Sequence, residues 1–313
     1  MNRRDLVKAA IAHRETRRVP YSLSLCQETW DLHFKDKVPF VNEDGLFDND
    51  VYPAYPPWWG WHELGADWYG MDPPASPPKV AGTGSYEKFF DNLKAARDAT
   101  GKYILVMIYG SHFEKAYFAR GIENLLADLA GNTEFARSLL NRVIDKNMVM
   151  LENFLNRPEI DGVLLGSDWG SQNDLLMSMD TWNDLIRPGE QREYDLIKSY
   201  GKDVWIHSCG NIERLIPSLI EMGVDVLNPV QPEAMDIARL KRDFGARLTF
   251  WGGISTQKTL PYGTPDEVKL EARQVKRMMA AGGGYIFAPA QSIQEDVPRA
   301  NIEALLEVAR EPN

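Results

Sequence analysis

Cysteine is scarce in this chain, with Cys26 and Cys209 its only two thiols in 313 residues. Two thiols cannot build a disulfide scaffold, and their rarity fits a reducing compartment, so each calls for its own explanation. Long apolar runs are missing as well. No stretch nears the ~20 residues of a membrane span. The opening MNRRDLVKAAIAHRETRRVPY has early arginines without the apolar run of a secretory leader, so a cytoplasmic protein is expected. Basic clusters are also lacking. The 35 Lys and Arg are outnumbered by 45 Asp and Glu, giving a net charge of −10, and a chain without a basic face cannot displace the counterions of a nucleic acid. Membrane and nucleic-acid roles are therefore set aside in favour of a small-molecule substrate.

What is present is core material, 44% hydrophobic and 11% aromatic, arranged as short apolar runs alternating with amphipathic stretches. That alternation is the signature of parallel strands covered by helices. The runs predict strands over 19–25, 103–110, 162–168, 203–209, 225–230, 248–253 and 284–290, with a weaker one over 66–70, eight in all. They are nearly all apolar, as strands buried on both faces are. The expected fold is α/β, a distorted (β/α)8 TIM-type barrel in one domain spanning 1–313. A helix is predicted over 133–156 from Phe135, Leu139, Leu140, Val143 and Ile144. Thr264-Pro265-Asp266-Glu267 and Ser111-His112-Phe113-Glu114 read as capping boxes. The Gly282-Gly283-Gly284 run reads as a helix stop rather than a phosphate cradle. One segment, 36–65, is rich in Pro, Trp and Tyr and is expected to be irregular, either a wall or lid over the barrel mouth or an ordinary packed surface loop.

In a parallel barrel the carboxyl ends of the strands open on one face, so polar residues at those ends converge. They include Cys26, Gln27 and Glu28, then Ser111 and His112, Asp168, His207 through Asn211, Asn228 with Gln231, Trp251, and Gln291. His207 and Cys209 stand two apart at a strand end, so their side chains point the same way and can share one metal ion. Imidazole with thiolate is a zinc-type combination. Asp168 reads either as a helix cap or as a group that meets substrate.

Taken together, Asp168-Trp169-Gly170-Ser171-Gln172, Ile206-His207-Ser208-Cys209-Gly210-Asn211, Asp225 through Gln231, Phe250 through Ile254 and Gly284 through Ala290 resemble the uroporphyrinogen decarboxylase superfamily, and within it the corrinoid-dependent methyltransferases. Arg18-Val19-Pro20 is similar to the superfamily's first strand. The decarboxylases themselves carry an arginine-rich segment after that strand to hold the carboxylates of a porphyrinogen. Here Leu25-Cys26-Gln27-Glu28-Thr29-Trp30 offers a carboxylate and no arginine, which argues against that substrate.

The methyltransferase resemblance implies zinc held by His207 and Cys209, with a third ligand after the last strand. That position is Gln291, a poor zinc ligand, which Cys26 or Glu28 would supplement. It further implies a corrinoid carried by a partner protein, a small thiol, ether or amine as substrate, and a homodimer. Within that reading Asp168, His207, Glu28 and His112 are the catalytic candidates, the last two handling a proton. Asn228, Gln231, Gln172 and Trp251 would bind substrate, Trp251 together with the aromatics of 55–61. Two other readings stay open: a metal-independent decarboxylase or lyase using Asp168 and His207, and a ligand-binding relative without catalysis.

Overall fold

A computed structural model describes residues 1–35, 43–57, 85–108 and 110–313. Among these the strands are β1 (Val51–Ala54), β2 (Tyr103–Ile108), β3 (Gly162–Gly166), β4 (Asp203–His207), β5 (Val226–Val230), β6 (Thr249–Ile254) and β7 (Tyr285–Pro289). The chain divides into two compact units: Met1–Tyr52, Gly101–Tyr103 and Asp225–Asn313 form the first, Pro53–Thr100 and Ile104–Val224 the second.

In the second unit β2, β3 and β4 are parallel neighbours, with Val106 beside Val163, Val163 beside Val204, and Gly166 beside His207. Every residue of β3 is buried, as are the three central residues of β4. Such strands need covering on both faces, and helices supply it. The predicted helix over 133–156 is found as Thr133–Phe154, burying Ala136, Leu139, Leu140, Val143, Ile144, Asn147, Met150 and Leu151 at helical spacing. Phe135, expected on that stripe, is only half-buried and lies under the Arg120 guanidinium, 4.8 Å from its ring centre. The start of β3 is fixed by charge. Asp161 is buried, accepts from the Ile104 amide at 3.0 Å and pairs with Arg97 at 2.5 Å, tying β2 and β3 to the helix Tyr86–Thr100.

In the first unit β5, β6 and β7 are parallel, and the predicted first strand lies beside β7. It forms two parallel bridges, Tyr21 with Phe287 and Leu25 with Ile293, rather than one continuous ladder. The capping box at Thr264 is present in full, its hydroxyl accepting from the Glu267 amide and the Glu267 carboxylate accepting from the Thr264 amide. Glycines 282, 283 and 284 all take positive φ where the helix Pro265–Ala280 ends. A side chain at Gly283 would meet the His13 backbone at 2.5 Å, so the run is the predicted stop.

Two expectations need correcting. The stretch 36–65 is not wholly irregular, for it holds a short helix, Glu43–Phe47, and β1. The cause is side-chain pairing that composition does not advertise. Asn49 exchanges two hydrogen bonds with the Leu23 backbone, and buried Asp50 accepts from the Tyr21 amide and from both terminal nitrogens of Arg18 at 2.7 Å. Its remaining residues, 36–42 and 58–65, and the weak strand over 66–70 lie outside the described residues. Secondly, Ser111 does not cap the helix His112–Arg120, and no capping box forms there. The Ser111 hydroxyl donates instead to the Glu193 carboxylate at 3.1 Å.

Candidate functional site

The second unit brings two of the motif segments together at the ends of β3 and β4. The Ser167 amide donates to the His207 carbonyl at 2.9 Å, continuing the ladder past the last residue of β3. The Trp169 amide donates to the Ser208 hydroxyl at 3.1 Å, the Cys209 amide to Asp168 Oδ1 at 2.8 Å, and the Asn211 amide to the Ser171 carbonyl at 2.7 Å. The segments press so closely that no side chain fits between them. A Cβ at Gly210, where φ is +80°, would stand 2.5 Å from the Ser171 carbonyl oxygen, and one at Gly170 would stand 2.7 Å from the Cys209 carbonyl oxygen. Glycine at both positions is what lets the two ends meet. Trp169 anchors the assembly from below, fully buried and edge-on to Trp182 with ring centres 5.7 Å apart.

This zipper sets three donors side by side. His207 Nε2 is 3.4 Å from Cys209 Sγ and 3.8 Å from Asp168 Oδ1. All three ligand atoms lie within 4.8 Å of one another. The His207 and Asp168 side chains remain 25% and 34% exposed, so the hollow is reachable. A nitrogen, a sulfur and a carboxylate oxygen at this spacing suit zinc, whose bonds to such ligands run about 2.0–2.3 Å, with room left for an exchangeable ligand. The residues therefore fit the ion that the sequence implied, with Asp168 as a member of the donor set. Asp168 caps no helix; it holds the Cys209 amide, which fixes the direction of its own carboxylate and of the thiol.

A fourth group at this end was not anticipated as functional. Glu114 lies against the end of β3, where a Cβ on Gly166 would approach its Oε2 to 3.0 Å. Glu114 is 5% exposed. Burial, reinforced by the negative charge of Asp168, pushes its pKa up to about 7, against which the Tyr117 hydroxyl donates at 3.2 Å. In sequence Glu114 looks like half of a capping box, which hides it.

The other candidates are distributed between the units. His112, in the second unit, is fully buried with Nδ1 2.9 Å from Glu190. Gln172 in the same unit is exposed. Cys26, Glu28, Asn228, Gln231, Trp251 and Gln291 belong to the first unit. There the Cys26 sulfur meets the Thr29 hydroxyl at 2.9 Å, Gln291 accepts from the Ser292 amide, Asn228 donates to the Trp251 carbonyl, and the Trp251 indole donates to the Ser22 carbonyl. Glu28 stands exposed in the first turn of the helix Gln27–His33. Of the aromatics of 55–61, Tyr55 is exposed and 58–61 lie outside the described residues.

Comparison with known proteins follows the same line. The family profile described as uroporphyrinogen decarboxylase (URO-D) matches residues 70–312. A methylcobamide:CoM methyltransferase of Methanosarcina barkeri is 29% identical over 131 residues, covering 42% of this chain and 36% of the relative. A uroporphyrinogen decarboxylase of Chlorobium phaeobacteroides is 25% identical over 196 residues, covering 58% and 53%. A methylated-thiol–coenzyme M methyltransferase of Methanosarcina mazei is 21% identical over 221 residues, covering 71% and 56%. The matches thus span between about a third and just over half of these relatives' lengths. Among solved structures, a methyltransferase from Methanosarcina mazei superposes with a TM-score of 0.75 at 17% identity, covering 99% of this chain and 98% of that one. The fold is that of the expected distorted (β/α)8 TIM-type barrel.

Proposed function

Because the chain belongs to the uroporphyrinogen decarboxylase family, we propose that it works in that family's methyl-transfer chemistry, moving a methyl group to or from a small thiol, ether or amine together with a corrinoid protein. The observation that carries this reading is the placement of His207 Nε2, Cys209 Sγ and Asp168 Oδ1 within 4.8 Å of one another at an open strand end. Two of the relatives named above are methyltransferases, which supports it. The missing arginines of 25–30 weigh against the porphyrinogen of the decarboxylase relatives.

In this proposal His207 and Cys209 bind zinc with Asp168 beside them. Zinc in such a site lowers the pKa of a bound thiol or polarises an ether or amine as a Lewis acid. The chain's own residues do the rest. The Cys209 amide holds the Asp168 carboxylate in place, and the Gly170–Gly210 contact keeps imidazole and sulfur on one side of the zipper. Glu114, whose pKa burial and the Asp168 charge raise to about 7, takes up or gives back a proton beside the site. Gln172 is the second unit's candidate for orienting substrate, whereas His112, with 0% of its side chain exposed, has no access to a substrate proton. Asn228, Gln231, Trp251 and Glu28 are candidates within the first unit by itself.

Metal analysis of the purified protein beside Cys209→Ser and His207→Ala tests the site. The unaltered protein is expected to gain, relative to each folded variant, about one equivalent of zinc. It should also demethylate methylcobalamin in the presence of a small thiol, followed by the cobalamin spectrum. Equal metal in all three proteins would place the ion elsewhere. Turnover of a small carboxylic acid that needs Asp168 and His207 but not Cys209 would favour a metal-independent lyase instead.

A further inference from the structure

Ser167, next to Asp168 in the chain, turns its hydroxyl away from the zipper and donates to Glu190 Oε1 at 3.4 Å. There, wholly inside the second unit, sits another group of converging ligands: His112, Glu190 and Glu193, each with 0% of its side chain exposed. Glu190 and Glu193 are three apart on the helix Arg187–Ser199, so both carboxylates leave one face of it. His112 opens the helix His112–Arg120, directly after β2 and Ser111.

The hydrogen bonds here leave a definite remainder. Glu193 is served on both oxygens, by Asn147 at 2.8 Å and Ser111 at 3.1 Å. Glu190 Oε2 and both His112 ring nitrogens have no hydrogen-bond partner, although all are buried. Lys115, also buried, directs its ammonium to the Gly110 carbonyl. Unsatisfied buried polar atoms cost about 1–3 kcal/mol each, so His112 Nδ1 and the Glu190 carboxylate it faces ask for a common partner.

The distances fit a shared cation. His112 Nδ1 is 2.9 Å from Glu190 Oε1 and 3.9 Å from Glu193 Oε2. The shorter pair has hydrogen-bond length but not hydrogen-bond direction, and Nδ1 has no hydrogen-bond partner. An off-axis oxygen is what two ligands of one ion present to each other. With both about 2.1 Å from the ion, a 2.9 Å separation puts the oxygen about 45° off the ring's lone-pair axis. We propose that His112, Glu190 and Glu193 form a second, interior site for a divalent transition-metal ion, distinct from the donor set of Asp168, His207 and Cys209. One imidazole and two carboxylates, with no sulfur, suit zinc, manganese or iron(II). The ion ties the helices His112–Arg120 and Arg187–Ser199 together and reaches, through Ser167, the residue beside Asp168. Its binding energy is gained on folding.

The test uses the His207→Ala/Cys209→Ser double variant, which leaves the interior cluster intact. This protein, refolded with cobalt(II) and freed of excess metal, is expected to hold one equivalent. Its near-ultraviolet absorption should lack any sulfur-to-cobalt charge-transfer band, which Cys209 would add in the unaltered protein. Adding Glu190→Gln or Glu193→Gln to the double variant should cut the cobalt content at least ~10-fold, in keeping with loss of a ligand. A double variant that is folded by circular dichroism yet holds no cobalt, zinc or manganese overturns the interior site, as does full retention in the Glu→Gln forms. The sulfur band in the unaltered protein reports on the strand-end site separately, so failure of one assignment is distinguishable from failure of the other.

Discussion

Alanine at Gly210 probes the contact on which the strand-end site depends, and Gly201 provides its control. Both glycines have positive φ, +80° and +68°. In the left-handed region a Cβ costs roughly 1–2 kcal/mol wherever it is placed. At Gly201 that is the whole effect, because nothing lies within 4 Å of the added atom. At Gly210 the same atom would stand 2.5 Å from Ser171 O and 2.6 Å from Gly170 C, all of it backbone. Since carbon atoms rest about 3.5–4.0 Å apart, the two segments must part by ~1 Å. Separation on that scale breaks the Asn211 to Ser171 bond and the charge-assisted Cys209 to Asp168 bond. Those are worth about 1 and about 2 kcal/mol. Gly210→Ala should therefore lose about 4–5 kcal/mol and Gly201→Ala about 1–2 kcal/mol. Urea unfolding of the metal-free proteins measures both, and chelator competition should show weaker zinc binding for Gly210→Ala alone. If the two variants unfold within ~0.5 kcal/mol of each other and bind zinc equally, the argument from close approach is wrong.

Three further outcomes are expected. Asp168→Asn retains an oxygen to accept from Cys209 but loses the charge, so zinc affinity by chelator competition should fall ~10-fold or more with little change in unfolding temperature; unchanged affinity would remove Asp168 from the donor set. Glu114 has its folded pKa raised from 4.5 to about 7, so its contribution to stability is present below about 4.5 and is lost as pH rises through about 7. Metal-free Glu114→Gln, which cannot ionise, should match the unaltered protein near pH 4.5 and exceed it by up to ~3 kcal/mol above pH 7; a difference independent of pH would refute the shift. Asp50→Asn leaves the Arg18 guanidinium half-buried without its carboxylate and should cost about 3 kcal/mol in urea unfolding, against a near-zero cost for an exposed pair such as Lys94→Ala.

How far the sequence carried the interpretation depends on whether the signal was local. Strands announced themselves because burial on both faces leaves few polar residues in 162–166 or 285–289. His207 and Cys209 were legible since two-residue spacing at a strand end fixes their common side whatever surrounds them. The helix stop at 282–284 and the cap at Thr264 are likewise local chemistry. β1 was not legible, because its formation rests on Asn49 and Asp50 reaching 26 to 32 residues back to Leu23, Tyr21 and Arg18.

The Ser111 to Glu114 segment shows the opposite error. Its pattern is that of a capping box, and locally nothing contradicts it. Only packing against the helix Arg187–Ser199 offers Ser111 a buried carboxylate 82 residues away, and only the end of β3 offers Glu114 a place beside Asp168. Sequence by itself determined the fold class, the strand ends and the imidazole–thiol pair, all set by short-range periodicity. Tertiary structure alone decided that Asp168 joins that pair, that Glu114 is held near neutrality, and that His112 faces two interior carboxylates. Each of those follows from atoms brought within a few ångströms by folding, a separation that no spacing along the chain records.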